Sequence, residues 1–347
     1  MTKPLVILDQ HFRRVDELFD AATFARLKDQ FRVEGGEDFP MEQSKRDALL
    51  FDAEVLVAAR PDLSADDIAR AQNLKAVIEV SGAFHGELDY DACFDRGIEV
   101  LSCSPGFRQS VAEMGLAMIL SGGRGLVAEH EAFRRGTEAW LDDREATDFS
   151  LFGQSVGLVG YGNIGRELHR LMTPFSPVVS FYDPWVSDTK SAAKCDSLNA
   201  LFSNNRVVVV TAAPTSENRH AIGDAEISSM ATGALLVLLG RAHVIDFDAA
   251  LAHAEAGRIT FATDVYPSEP VPKEHDMRGL PNVIFSPHRA AAVHGGRQLI
   301  GEMILHDLEA MQKGTAERML QRANPDQVAA LVAAQKSIEA DGRLPGT

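Results

Sequence analysis

The sequence predicts an α/β protein built as two doubly wound parallel-sheet domains. Three observations predict it. Short apolar runs alternate with amphipathic stretches along most of the 347 residues. The runs are apolar throughout, as strands buried on both faces of a parallel sheet must be. One of them leads into a glycine-rich turn, residues 155–170 (SVGLVGYGNIGRELHR), and a helix follows that turn. The length suits two domains with sizeable cores, and no short-period repeat suggests a solenoid.

In the first hundred residues, strands are expected at 5–8, 31–34, 55–59, 76–80 and 98–101. Between them, 15–28 reads as an amphipathic helix. Ser64 followed by Ala-Asp-Asp gives a cap and first-turn acids for a helix over 65–72. A helix over 88–96 stops at Gly97. Residues 109–120 (QSVAEMGLAMIL) form a strongly apolar helix expected to cross between domains, broken or bent by Ser121-Gly122-Gly123 and resumed over 126–135. Residues 136–154 read as a polar surface loop. The second alternating unit then has strands at 156–159, 178–182, 207–211, 235–239, 260–263 and 283–285. Helices over 224–230 and 246–255 separate the later ones, and 290–312 is expected to be mostly helical. A further helical stretch follows Asn324, with a frayed end.

The balance of 34 basic against 50 acidic residues, a formal charge of −16, argues against nucleic acid or an anionic membrane as partner. No apolar run approaches the roughly 18 residues of a membrane span, and the N-terminal run is too short for a signal core. Three cysteines without CxxC spacing suit a reducing cytoplasm. Histidines and cysteines show no ligand spacing, so no metal is expected.

The glycine turn carries the first chemistry. Gly160, Gly162 and Gly165 form GxGxxG between a strand and a helix. The first permits a tight turn, the second lets backbone approach a pyrophosphate, and the third packs helix on strand. Asn163 and Ile164 complete the turn, at a helix N-terminus whose unpaired N–H groups suit an anion. Asp183 ends the next strand, 18 positions after Gly165, where a carboxylate binds a ribose diol and repels a 2′-phosphate. The site is that of a Rossmann domain, with NAD favoured over NADP.

Three strand ends in this unit carry further polar groups, at the edge where open α/β sheets place their sites. Arg241 follows Gly240 after an apolar strand and offers a fixed charge to a carboxylate. Asp264 ends the next strand, and Glu269 stands in a proline-bracketed loop. Ser286-Pro287-His288 ends the last. Among eleven histidines, His288 stands out by position. With Glu269 orienting it and favouring its imidazolium, it is a proton donor for reduction of a carbonyl.

The segments VGLVGYGNIGREL, VVTAAPTSENRH, GALLVLLGRAHVID, GRITFATDVYPSEP and NVIFSPHRA resemble the NAD-dependent D-isomer-specific 2-hydroxyacid dehydrogenase family, which includes phosphoglycerate dehydrogenases and hydroxypyruvate reductases. LKAVIEVSGAFHGELD and SPGFRQSVAE extend the likeness, which covers roughly 55–305. The resemblance implies Arg241 as catalytic arginine, Glu269 as its glutamate and His288 as acid/base. It implies that Asp264 meets the nicotinamide carboxamide, and that Ala213, Pro214, Asn218 and Gly240 lie along the cofactor. It implies that backbone N–H groups at Ser81 and Gly82 hold the substrate carboxylate with Arg241. It implies a flavodoxin-like lid, the substrate domain, from 1–105 and 306–347, beside a nucleotide domain at 106–305, and a homodimer with 126–140 near the contact. Two departures stand out. Ala242 follows Arg241 where the family has glycine, and Phe84 and His85 replace a glycine-rich stretch. Arg60, at a strand end, is a candidate for a second anionic group on the substrate.

The expected reaction is reversible oxidation of a small (R)-2-hydroxy acid to the 2-oxo acid. Alternatives are a relative acting on a phosphorylated or non-carbon acid, and a non-catalytic NAD-sensing protein of the corepressor type.

Overall fold

A computed structural model describes residues 3–140, 148–187 and 189–340. Residues 141–147 of the expected loop, Asp188 and the expected frayed end at 341–347 lie outside the described residues. The strands are β1 (Leu5–Asp9), β2 (Arg32–Gly35), β3 (Val55–Ala58), β4 (Ala76–Glu79), β5 (Glu99–Ser102), β6 (Ser155–Val159), β7 (Val178–Tyr182), β8 (Ala193–Lys194), β9 (Val207–Val210), β10 (Ala234–Leu238), β11 (Ile259–Thr263), β12 (Val283–Phe285) and β13 (Gln321–Arg322). They form two sheets in two compact units, which divide at Arg108/Gln109 and again at Ala292/Val293.

The first unit holds the sheet β13-β5-β4-β3-β1-β2, parallel except for the antiparallel edge pair β13·β5. Without that edge the order is 2-1-3-4-5 in chain sequence, the flavodoxin-like winding. Both faces are apolar, because successive residues of β1 point to opposite sides. Val6 and Leu8 join a core with Phe19, Leu27, Ile300 and Ile304, while Leu5 and Ile7 join another with Ile68, Leu88 and Val328. The helix Gln298–Gln312 therefore belongs to this unit, and the chain returns to it before the expected position 306. The expected helical start at 290 is also corrected. Residues 290–297 are turns and irregular chain, with Gly295 at φ +72, and the helix begins at Gln298.

The helix expected over 15–28 is two helices, Val15–Leu18 and Ala21–Gln30. Asp20 separates them, its carboxylate accepting Ala22 N–H at 2.8 Å and Thr23 N–H at 2.9 Å. That is an N-cap, which restarts a helix more favourably than it continues one. The Ser64 cap is present as a capping box with Asp67 on the helix Ala65–Arg70. The polar helix Gln43–Leu50 had no apolar periodicity to announce it.

The second unit is an all-parallel sheet, β12-β11-β10-β9-β6-β7-β8. In chain sequence this is 3-2-1-4-5-6-7, the Rossmann winding with one strand added. The strand order reverses beside β6, so the turn after β6 lies at the switch point where such sheets bind ligands. The centre is dry: all four valines of β9 are fully buried, and each contributes about 1.5–3 kcal/mol relative to exposure. The apolar helix runs over Arg108–Gly123 and ends at the glycine pair, as expected, and the chain resumes as Leu126–Arg135 after a bend of 59°. A Cβ on Gly122 would stand 2.7 Å from Leu235 Cδ1 of β10, so this glycine serves close packing. The helix Leu198–Asn204 of the β8–β9 crossover, capped by Ser197, was not foreseen.

Candidate active site

β6 enters its turn at Gly160, whose φ is +88 and whose missing Cβ would lie 2.7 Å from backbone of Ala212. A Cβ on Gly165 would come 2.5 Å from Gly160 O, so the helix Asn163–Met172 packs onto the strand only with glycine there. Around Gly162 the space is open, with nothing within 4 Å of an added Cβ. That opening lies at the first turn of the helix, where N–H groups lack intrahelical partners. Asp183, just past β7, accepts Tyr161 N–H at 2.8 Å on one oxygen and Trp185 N–H at 2.9 Å on the other. The two bonds fix the carboxylate beside the turn, and each oxygen keeps lone pairs for a diol. A pyrophosphate at Gly160–Gly165 and a ribose at Asp183 fit this shape.

Tyr161, inside the turn, is buried. Its ring stacks on Phe181 at 4.4 Å between centroids, and its hydroxyl lies 2.8 Å from His169 Nδ1. Sequence pattern gave no sign of this anchor.

Beyond β10, Gly240 lets the chain pass Ala212, whose carbonyl oxygen would be 2.6 Å from a Cβ there. Arg241 follows, half-buried, donating to Gly240 O at 3.0 Å. Burial lowers its pKa, while the negative charges of Glu269 and Asp264 oppose that shift. Glu269 accepts Tyr266 N–H on Oε1 at 2.8 Å, and its Oε2 lies 2.6 Å from His288 Nδ1. Both side chains keep some access, 13% for Glu269 and 20% for His288. The imidazole is thus gripped at Nδ1, leaving Nε2 for a substrate. Tyr266 donates its hydroxyl to Ser286 O at 2.9 Å, and burial together with Asp264 and Glu269 pushes its pKa up to about 12. It stays a protonated donor and stiffens the loop leading to His288. His288 itself has φ +51, a left-handed conformation uncommon for histidine.

Asp264 has partners within the chain. It is buried, and both its oxygens are taken: Ser286 Oγ at 2.5 Å and Arg289 N–H at 2.8 Å on one, Ala290 N–H at 2.9 Å on the other. A buried carboxylate needs such donors, and here they come from the loop that carries His288. Asn218 also works inward. It accepts Thr215 N–H at 2.8 Å and donates to Ala213 O at 2.8 Å, closing the turn that contains Pro214.

In the first unit, two of the expected substrate contacts have partners within the chain. Arg60 is engaged, its guanidinium 2.8 Å from Glu339. The N–H groups of Ser81 and Gly82 donate to Glu79, a residue that sequence pattern did not single out. Glu79 is a charged residue inside an apolar strand run, and that anomaly was the available signal. His85 is buried, with Nε2 at 2.8 Å from Ser81 Oγ.

Residues 116–290 match the family model described as D-isomer specific 2-hydroxyacid dehydrogenase, NAD binding domain. The chain belongs to this family. The match coincides with the unit containing the glycine turn and Asp183, and NAD is its cofactor. A solved phosphoglycerate oxidoreductase from Rhizobium etli is 32% identical, covers 93% of this chain and 99% of its own, and superposes with a TM-score of 0.83. A D-3-phosphoglycerate dehydrogenase of Methanocaldococcus jannaschii is 28% identical over 79% of this chain, which spans 52% of that relative's length. The chain thus spans about half the length of the curated phosphoglycerate dehydrogenases it matches. A glyoxylate/hydroxypyruvate reductase B of Yersinia enterocolitica is 28% identical over 84% of this chain and 90% of its own. In family terms, the residues brought together in one unit are Gly160–Gly165, Asp183, Arg241, Asp264, Glu269 and His288, whereas Ser81 and Arg60 belong to the other.

Proposed function

We propose that this protein is an oxidoreductase that interconverts a small (R)-2-hydroxy acid and its 2-oxo acid with NAD. The carrying observation is the His288 Nδ1–Glu269 Oε2 contact at 2.6 Å, in the same unit as the glycine turn. When bound, NAD supplies the donor or acceptor of hydride. Gly160, Gly162, Asn163, Ile164 and Gly165 would hold its pyrophosphate, Asp183 its adenosine ribose, and Ala213, Pro214, Asn218 and Gly240 the backbone wall beside it. His288 gives a proton from Nε2 to the carbonyl oxygen in reduction and takes it back in oxidation. Glu269 holds the ring in one tautomer. Arg241 pairs with the substrate carboxylate and meets negative charge as it develops on the carbonyl oxygen, which lowers the barrier more than it aids binding. Asp264 fixes the loop that presents His288.

The reductases among the relatives are named for glyoxylate and hydroxypyruvate. With Arg60 already paired to Glu339, we favour such singly charged acids over phosphorylated ones. Mixing protein and NADH with glyoxylate, hydroxypyruvate, pyruvate, 2-oxoglutarate and 3-phosphohydroxypyruvate, and following loss of NADH absorbance, tests this. Turnover of a singly charged acid is expected. Tight NADH binding with no turnover would instead favour a sensor.

We also propose a homodimer through the second unit, in a reducing cytoplasm that suits the three free cysteines. The helix Leu126–Arg135 buries none of its residues, and Leu126, Phe133 and Trp140 are 60%, 62% and 76% exposed. Light scattering should report twice the chain mass.

A further inference from the structure

One residue inside the glycine turn grips the chain around Asp183 at three points. The Tyr161 ring stacks on Phe181 of β7, with centroids 4.4 Å apart and planes at 21°. Its N–H donates to Asp183 Oδ2 at 2.8 Å. Its hydroxyl lies 2.8 Å from His169 Nδ1 and 3.2 Å from Ser191 Oγ. A phenol hydroxyl both donates and accepts, so it serves the two neighbours together. Burial lowers the pKa of His169, which favours a neutral ring. Such a ring can accept at Nδ1 while the Tyr161 oxygen accepts from Ser191. The connection from β7 to β8 is itself braced by short-range bonds. Trp185 N–H returns to Asp183 at 2.9 Å, Lys194 Nζ donates to Val186 O at 2.6 Å, and Ala192 N–H donates to Thr189 Oγ1 at 3.3 Å. Fixing Ser191 therefore also limits where Asp183 can go.

We infer that Tyr161 is a positioning residue for NAD, whose hydroxyl, through Ser191, holds the β7–β8 connection so that Asp183 meets the adenosine ribose. This rests on the reading of Asp183 as the ribose partner. Any residue at 161 offers the backbone N–H, and any flat ring can stack on Phe181. Only the hydroxyl distinguishes tyrosine from phenylalanine here, and it is the part that reaches Ser191. A carboxylate held in place binds a diol without first having to be ordered, and it keeps its charge where a 2′-phosphate would come. Released at Ser191, the same carboxylate loses part of both effects.

The test is Tyr161→Phe, with NADH and NADPH titrated by fluorescence. The Kd for NADH should rise about three- to tenfold, the order of one hydrogen bond, and the preference for NADH over NADPH should narrow. Ser191→Ala, a change at an exposed position, should weaken NADH binding to a similar extent. Both changes break the same bond, so the double variant should bind no more weakly than the weaker single one. Effects that multiply would show the two residues acting separately and would overturn the inference. So would an unchanged NADH Kd in Tyr161→Phe, even with a lowered thermal midpoint, because the hydroxyl would then serve the fold alone. If Tyr161→Phe does not fold, Ser191→Ala decides, and wild-type NADH affinity there refutes the role. Asp183→Ser is titrated alongside. If it binds NADH as tightly as wild type, the ribose reading fails and the positioning role with it. If it binds weakly while Tyr161→Phe binds as wild type does, only the role of Tyr161 fails.

Discussion

Replacing Glu269 by glutamine separates a ring that is merely present from one that is held for proton transfer. In wild type the two carboxylate oxygens have two duties: Oε1 accepts Tyr266 N–H at 2.8 Å, and Oε2 grips His288 Nδ1 at 2.6 Å. Glutamine has one oxygen and must abandon one of them. If it keeps Tyr266, its NH2 faces Nδ1, the imidazole loses its acceptor, and the tautomer with Nε2 ready for the substrate is no longer favoured. A hydrogen bond to a charged group contributes about 1.5–3 kcal/mol net. At about 1.4 kcal/mol per tenfold, kcat should fall roughly 10- to 100-fold. NADH affinity should not change, because neither oxygen of Glu269 faces the glycine turn residues in its bonding. The assay is steady-state reduction of the best 2-oxo acid at saturating NADH, with NADH binding followed separately by fluorescence. Glu269→Asp, which keeps the charge, should recover part of the loss. An unchanged kcat in Glu269→Gln, or equal losses in kcat and NADH affinity, would refute the assignment.

Asp183→Ser removes the carboxylate that would repel a 2′-phosphate, so the ratio of kcat/KM for NADPH to that for NADH should rise; a constant ratio would mean another residue reads the ribose. Gly122→Ala places a methyl group 2.7 Å from Leu235 Cδ1 and should destabilise the protein by about 1–3 kcal/mol, read from urea midpoints; a neutral effect would mean the helix shifts freely. His169 has a pKa lowered by burial from 6.5, so the unfolded chain takes up its proton first as pH falls. Stability from this group is full above pH 6.5 and is lost progressively below it, down to the folded pKa. His169→Gln should flatten that part of the stability–pH curve, and an identical slope would exclude His169 as its source.

What was legible in the sequence was what is local in the chain. The glycine turn is a strand, three glycines and a helix within one short segment; Gly160 and Gly165 each have a steric reason, and Gly162 leaves open space. The Ser64 capping box is equally local. Helix lengths failed where a side chain acts against the pattern: Asp20 ends one helix and begins another. The edge strands β8 and β13 are two residues each and carry no periodicity. Residues whose partners are distant in sequence were the least legible. Asp264 binds amides 25 and 26 positions away, and Arg60 meets Glu339 279 positions on. Neither spacing nor composition reports such a partner.

The acids of this chain sort themselves by what they accept. Asp9, Glu79, Asp264 and Asp307 are its buried carboxylates among the described residues. Each takes backbone N–H groups: Met41 for Asp9, Ser81 to Ala83 for Glu79, Arg289 and Ala290 for Asp264, Met319 and Leu320 for Asp307. Burial makes a carboxylate strong as an acceptor and costly when unpaired, so such a group serves as an anchor for irregular backbone. Asp307 also meets an imidazole, His306 Nδ1 at 3.0 Å, but on the oxygen that accepts Met319 N–H. Glu269 differs in giving one oxygen to the amide of Tyr266 and the other to an imidazole alone, with some solvent access retained. An oxygen shared with Nδ1 alone responds directly to the charge of the ring, which supports the role proposed for Glu269 beside His288, while Asp264 anchors the loop that carries His288.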